Sequence, residues 1–93
     1  MHSIYELLQE DKKTVLDVRT AQEFAGNHVE GAINIPLQEL RARIEEVEQM
    51  EKPIVVYCLS GGRSMSAVSF LRQHGIQEVY NGGGIGEMQL MVL

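Results

Sequence analysis

The apolar run Ile54-Val55-Val56 passes directly into Tyr57-Cys58-Leu59-Ser60-Gly61-Gly62-Arg63-Ser64, and Ala67, Phe70, Leu71 and His74 then recur at i, i+3, i+4 and i+7. A short run of this kind reads as a buried strand, and the recurrence after it has the period of a helix face. The chain is therefore organised around a strand, a tight turn and a helix over residues 65–74. The turn carries the only cysteine of the chain, at the carboxyl end of the strand. Gly61 and Gly62 let the backbone curl there without Cβ clashes.

Such a turn has electrostatic consequences. The first N–H groups of a helix lack internal partners, and its amino end carries partial positive charge. A loop that curls back on itself aims several backbone N–H groups into one hollow, a nest for an anion. A thiol at its mouth should ionise below the ~8.5 of a free cysteine, because the donors stabilise the thiolate. Arg63 adds a permanent charge and a planar fork suited to an oxyanion. The plainer reading is an inert cysteine closing a core strand, the commoner fate of free cysteine. Two glycines, an arginine and a helix start favour the reactive thiolate.

The remaining chain alternates between strand and helix signals. Ser3-Ile4-Tyr5-Glu6 and Thr20-Ala21-Gln22-Glu23 have capping-box spacing, predicting a first helix to about Glu10 and a brief second one carrying Phe24 inward. Residues 14–18 read as a strand buried on both faces except at Asp17, whose carboxylate needs a partner. His28 suits a hydrogen-bonded turn residue better than a general base. Gly31 turns the chain into a strand over 32–35. From Pro36, the residues Leu37, Leu40, Ile44 and Val47 predict one amphipathic helix, with Pro53 opening the strand that follows. Gly75 suits a helix C-cap, and residues 78–80 read as the last strand. The run Gly82-Gly83-Gly84-Ile85-Gly86 is too glycine-rich for regular structure and lacks the spacing of a nucleotide fingerprint. Ile85, Met88, Met91 and Val92 suggest a short terminal helix with an apolar side. Strands alternating with helices call for an α/β fold, an open parallel sheet of four to five strands flanked by helices on both faces. Ligands in such sheets bind outside the carboxyl ends of the strands, where Cys58 falls.

Composition narrows the partners. The 93 residues form one small domain, 1–93, with 44% hydrophobic and 23% charged residues, ordinary values for a folded chain. One cysteine excludes an internal disulfide and a CxxC pair, which fits a reducing compartment and an expected cytoplasmic location. Met1 reads either as the native start or as a residue added after removal of an export signal. A net charge of −5 argues against nucleic acid and against anionic membrane surfaces. No apolar run approaches the ~20 residues of a membrane span. A small anionic substrate is compatible with this charge if the positive field is local to the loop.

Four ordered stretches carry a resemblance. Cys58 followed by Arg63-Ser64 at a strand-to-helix turn resembles the active-site loop of rhodanese-family sulfurtransferases. Val15-Leu16-Asp17-Val18-Arg19, the segment from Glu23-Phe24 through His28-Val29-Glu30-Gly31-Ala32-Ile33-Asn34-Ile35-Pro36, and Val79-Tyr80-Asn81 with Gly82-Gly83 are similar to further family motifs. Members often carry a tryptophan after the paired glycines, and this chain has none. The resemblance implies a thiosulfate sulfurtransferase. Cys58 would be the nucleophile, with Leu59, Ser60, Gly61, Gly62, Arg63 and Ser64 binding the donor and the persulfide. Asp17, Arg19 and His28 would be structural supports. Thiosulfate or a similar anion would be the donor, and cyanide, a thiol or a protein thiol the acceptor. No cofactor and no metal are implied. Two alternatives remain. One is a cysteine-dependent phosphatase or arsenate reductase of related fold, which by resemblance places one residue more between cysteine and arginine than Leu59-Ser60-Gly61-Gly62 here. The other is a non-catalytic rhodanese-like module that binds partners.

Overall fold

The computed structural model describes residues 3–93. At its centre are two parallel strands, β1 (Thr14–Asp17) and β3 (Ile54–Cys58), with β2 (Ile33–Asn34) outside β1 and β4 (Val79–Gly84) outside β3. All three pairings are parallel, in the order β2-β1-β3-β4. The helices are α1 (Ile4–Leu8), α2 (Ala21–Gly26), α3 (Ile44–Glu48), α4 (Gly62–Gln73) and α5 (Ile85–Met91), with a 3-10 turn at Leu37–Glu39.

The unbroken apolar run of β3 follows from its position. Side chains alternate across a strand, so Val55 and Tyr57 face one side and Ile54, Val56 and Cys58 the other. Val55 and Tyr57 pack with Leu7 and Leu8 of α1 and with Ile85 and Met88 around α5. Ile54, Val56 and Cys58 pack with Val47 of α3 and with Ala67, Val68 and Leu71 of α4. A strand covered on both faces needs hydrophobic residues at every position, which is the parallel-sheet pattern. Burying each such side chain contributes roughly 1.5–3 kcal/mol relative to leaving it exposed. The sheet thus holds the carboxyl end of β3, and Cys58 with it, between two packed layers.

Local signals place most boundaries. Both capping boxes form: Ser3 with Glu6 opens α1, and Thr20 with Glu23 opens α2. Helix α1 ends at Leu8, short of Glu10, and α4 begins at Gly62, one turn earlier than the apolar recurrence alone suggests. After α4, Gly75 takes φ +91°, and Ile76 N–H donates to the Leu71 carbonyl at 3.1 Å, closing the helix.

Three expectations are corrected. The single helix from Pro36 is divided into the 3-10 turn and α3, because Arg43, at ψ 23°, leaves the helical region. Its apolar spacing survives the break, since Leu40 and Val47 are both buried. Asp17 is not an exception to strand burial but is itself fully buried. The third correction concerns Gly82, Gly83 and Gly84, which are not a loop but the end of β4. The pairing with β3 skips one residue there, from Val56↔Asn81 to Tyr57↔Gly83, and Gly83 takes φ +88°. Close approach excludes side chains at this point. A Cβ on Gly82 would lie 2.6 Å from Met88 Sδ, and one on Gly84 would lie 2.6 Å from the Leu59 carbonyl oxygen. Low strand propensity is overridden by the need to bring β4 against the 58–64 loop.

Candidate active site

Cys58 ends β3, and the chain reverses at Gly61 (φ +103°) into α4. The reversal points donors at the sulfur. Gly61 N–H donates to Cys58 Sγ at 3.0 Å and Ser64 N–H at 3.4 Å, with Ser64 Oγ 3.5 Å away. Cys58 is only 1% exposed, and this burial pushes the thiol up. The Ser64 hydroxyl and the N–H groups of Ser64, Gly61 and Ser60 pull the other way and prevail, so the thiol titrates below its ordinary value. An anion is stabilised here by dipoles in a dry site, where each donor counts for more than in water.

Arg63 faces elsewhere. Its guanidinium forms a two-point pair with Glu23 of α2, Nη1 to Oε1 at 2.7 Å and Nη2 to Oε2 at 3.1 Å. Arg63 holds the Glu23 carboxyl down to about 2, aided by Thr20 N–H, and Glu23 in turn raises the arginine. Glu23 therefore both closes the α2 cap and ties α2 to α4 beside the cysteine loop. Sequence reasoning gave it only the capping role. Leu59 is exposed and Ser60 lies on the rim of the loop, while Gly62 starts α4.

Asp17 and Arg19 lie under the neighbouring turn. Arg19 donates to the Asp17 carboxylate from Nε (3.1 and 3.0 Å), from Nη2 (2.6 Å) and from its own backbone N–H (2.8 Å). Nη2 also reaches the Asn27 carbonyl at 2.6 Å, and the guanidinium lies over the Tyr57 ring. Tyr57 Oη accepts from Val29 N–H at 3.0 Å, and burial with the nearby Asp17 carboxylate pushes its phenol up to about 12. These contacts brace the 27–29 segment against the residue preceding Cys58. His28 stacks on Phe24 at 3.8 Å and its Nδ1 lies 2.9 Å from the Phe24 carbonyl, the contacts of a turn-holding residue. Phe24 itself is only half-buried.

Asn81 is the residue that pattern reading left without a role. Its Oδ1 lies 2.7 Å from Ser64 Oγ and accepts Gly83 N–H at 2.9 Å, so β4 is joined to the cysteine loop through one side chain. Only its place in Val79-Tyr80-Asn81, one of the stretches that carry the family resemblance, pointed to it. A groove of about 730 Å³ runs between α4 and the β4 edge past Met65, Arg72, Tyr80 and Asn81 but does not include Cys58. Among the described residues, no group of three or more His, Cys, Asp or Glu is placed to hold a metal ion. No described helix is long and apolar enough to cross a membrane.

Against known families, residues 1–87 match the rhodanese-like domain. The chain belongs to the rhodanese-like domain family. Within this family it is 43% identical over 70 residues to the uncharacterized protein YqhL of Bacillus subtilis, covering 75% of this chain and 55% of that one. It is 37% identical over 76 residues to the thiosulfate sulfurtransferase PspE of Escherichia coli, covering 81% of this chain and 73% of the relative. The chain thus spans about half the length of the first relative and about three quarters of the second. Among solved structures, a rhodanese with anions from E. coli superposes with a TM-score of 0.73 at 37% identity, over 81% of this chain and 89% of that one. The parallel four-stranded sheet with helices on both faces is the rhodanese-like architecture.

Proposed function

We propose that this rhodanese-like domain is a sulfurtransferase that moves sulfane sulfur from thiosulfate, or a similar anion, to cyanide or a thiol. The observation that carries the reading is the pair of backbone donors aimed at one buried sulfur, Gly61 N–H and Ser64 N–H, with the Ser64 hydroxyl 3.5 Å away and free to turn toward it once it is charged. The similarity to relatives named as thiosulfate sulfurtransferases supports it.

In the first half-reaction the Cys58 thiolate attacks the outer sulfur of thiosulfate. A new S–S bond forms to Cys58, the original S–S bond breaks, and sulfite leaves with its electron pair. The terminal sulfur of the persulfide carries the negative charge in reach of the rim formed by Leu59, Ser60, Gly61 and Gly62. In the second half-reaction cyanide, or a small or protein thiolate, attacks that sulfur, and the Cys58 thiolate departs as the leaving group. Covalent catalysis of this kind gives ping-pong kinetics. Arg63 binds the donor's sulfonate only by sharing or leaving Glu23, so its assigned role requires that pair to open. With a net charge of −5, an anionic donor requires a positive field confined to the loop, and a cytoplasmic setting, with its reduced thiols, forms part of the proposal.

The experiment is intact mass before and after thiosulfate, then after cyanide. One sulfur atom gained at Cys58 and lost to cyanide is the expected result. A mass unchanged by thiosulfate at millimolar concentration would count against the activity.

A further inference from the structure

Ser64 has a single hydroxyl proton and three acceptors around it. Asn81 Oδ1 lies 2.7 Å from Ser64 Oγ, the Gly61 carbonyl 3.1 Å and Cys58 Sγ 3.5 Å. The orientation of the Asn81 amide is fixed by its other neighbours. Gly83 N–H donates to Oδ1 at 2.9 Å, and Nδ2 faces the Gly61 carbonyl at 3.4 Å. Exchanging the amide oxygen and nitrogen would set two donors against each other at Gly83. Oδ1 therefore faces Ser64 and can only accept. The Gly61 carbonyl is already served by Met65 N–H at 3.0 Å. The shortest contact thus directs the hydroxyl proton to Asn81 and leaves a Ser64 lone pair facing the sulfur. That arrangement suits a neutral thiol, which can donate its S–H to Ser64. It opposes a thiolate, which gains the hydroxyl only when the proton turns away from Asn81. Once the sulfur is charged the turn is favourable, because donation to an anion is stronger than donation to a neutral amide.

We propose that Asn81 is a positioning residue that competes with the Cys58 thiolate for the Ser64 hydroxyl proton and so sets the pH at which the nucleophile forms. The consequence for sulfur transfer rests on the sulfurtransferase reading, but the competition itself does not. Asn81 keeps the sulfur less acidic than the loop alone would make it. This preserves nucleophilicity, which falls as a thiol becomes more acidic.

The test is the pH dependence of Cys58 alkylation by iodoacetamide, read by intact mass, in wild type, Asn81→Leu, Ser64→Ala and the double variant. In Asn81→Leu the midpoint should fall by roughly half a unit to one unit, the worth of the neutral hydrogen bond to Asn81 that ionisation no longer has to break. In the Ser64→Ala background the same substitution should leave the midpoint where Ser64→Ala alone puts it. A rise, no change, or a fall that persists without the Ser64 hydroxyl would overturn the proposal. If Asn81→Leu does not fold, wild-type protein gives the decision by nuclear magnetic resonance. Oδ1 loses Ser64 as a donor when Cys58 ionises, so the Gly83 amide proton should move downfield with the Cys58 midpoint. An amide that stays still or moves upfield contradicts the competition. Alkylation needs no sulfur donor, so failure of thiosulfate to load Cys58 would count against the proposed activity and leave this result standing.

Discussion

The turns after β1 and β3 lie side by side at the carboxyl end of the sheet, with Asp17 in register with Tyr57, yet they hold their acidic groups by opposite means. Asp17 is fully buried and meets a guanidinium at two points, with a backbone N–H added from the same arginine. Cys58 is almost as buried but receives only backbone N–H groups and a hydroxyl, while the arginine of its own loop is given to Glu23. A full counter-charge closes the first site and turns it into a brace. The second anion meets no ion-pair partner, with Arg63 acting on it only from a distance, and so stays unneutralised, as the proposed attack on a sulfur donor requires. Under the proposed function, the difference separates a structural charge from a reactive one within two adjacent strands.

Substitutions can break this contrast at each side, and the largest effect belongs to the reactive one. Cys58→Ser should abolish persulfide formation and sulfur transfer entirely while leaving the circular dichroism spectrum unchanged, since serine fits the same space without the nucleophile. Next is the brace. Asp17→Ala leaves Arg19 buried without its anion and should cost about 3–5 kcal/mol in urea unfolding, because removing one partner of a buried pair strands the other.

The distance between β4 and the cysteine loop gives a smaller effect. Gly84→Ala would set a Cβ 2.6 Å from the Leu59 carbonyl oxygen and 3.3 Å from Ser60 Cα, so strand or loop must shift. A loss of about 1–3 kcal/mol is expected, together with a raised alkylation midpoint for Cys58 as its donors move off. Gly86→Ala is the control, since a Cβ there meets nothing within 4 Å in α5. It should be neutral or slightly stabilising.

The smallest effect concerns Glu23→Gln, which keeps a residue able to complete the α2 cap but removes the charge facing Arg63. The pair is partly exposed, so a loss of about 1 kcal/mol or less is expected at neutral pH. The sign of its pH dependence follows from the lowered carboxyl. Glu23 ionises at about 2 in the folded protein and near the ordinary ~4.3 when unfolded. Its contribution is complete above the unfolded value and is lost as pH falls through the folded one. Unfolding free energies of wild type and Glu23→Gln should therefore differ by a constant amount above pH ~4.3 and converge toward pH ~2. A freed Arg63 should also lower KM for thiosulfate, modestly.

Much of this architecture is legible in the sequence because it is local. The apolar run of β3 announces burial on two faces, and Ser3, Glu6, Thr20 and Glu23 announce two helix starts by spacing alone. The turn at Gly61 and the helix after it place Cys58 at the end of a strand without any knowledge of the rest. What stayed hidden depends on pairs distant in the chain. Arg63 and Glu23 are 40 residues apart, and Ser64 and Asn81 are 17 apart. No periodicity marks which residue takes up the arginine or which one takes the hydroxyl proton. Gly82, Gly83 and Gly84 mislead for a related reason. Their composition speaks for a loop, but the space they keep clear belongs to Met88, Val55 and the Leu59 carbonyl, which only the folded chain brings near.

Backbone N–H groups and one hydroxyl lower the pH at which Cys58 becomes an anion. Because the chain has one cysteine, an isotopically labelled cysteine β-carbon gives a single signal whose shift follows the ionisation directly. The midpoint should lie below the ~8.5 of a free thiol and stay largely unmoved in Arg63→Met. A midpoint at or above that value, or one that rises to it when Arg63 is removed, would contradict this role of the loop donors.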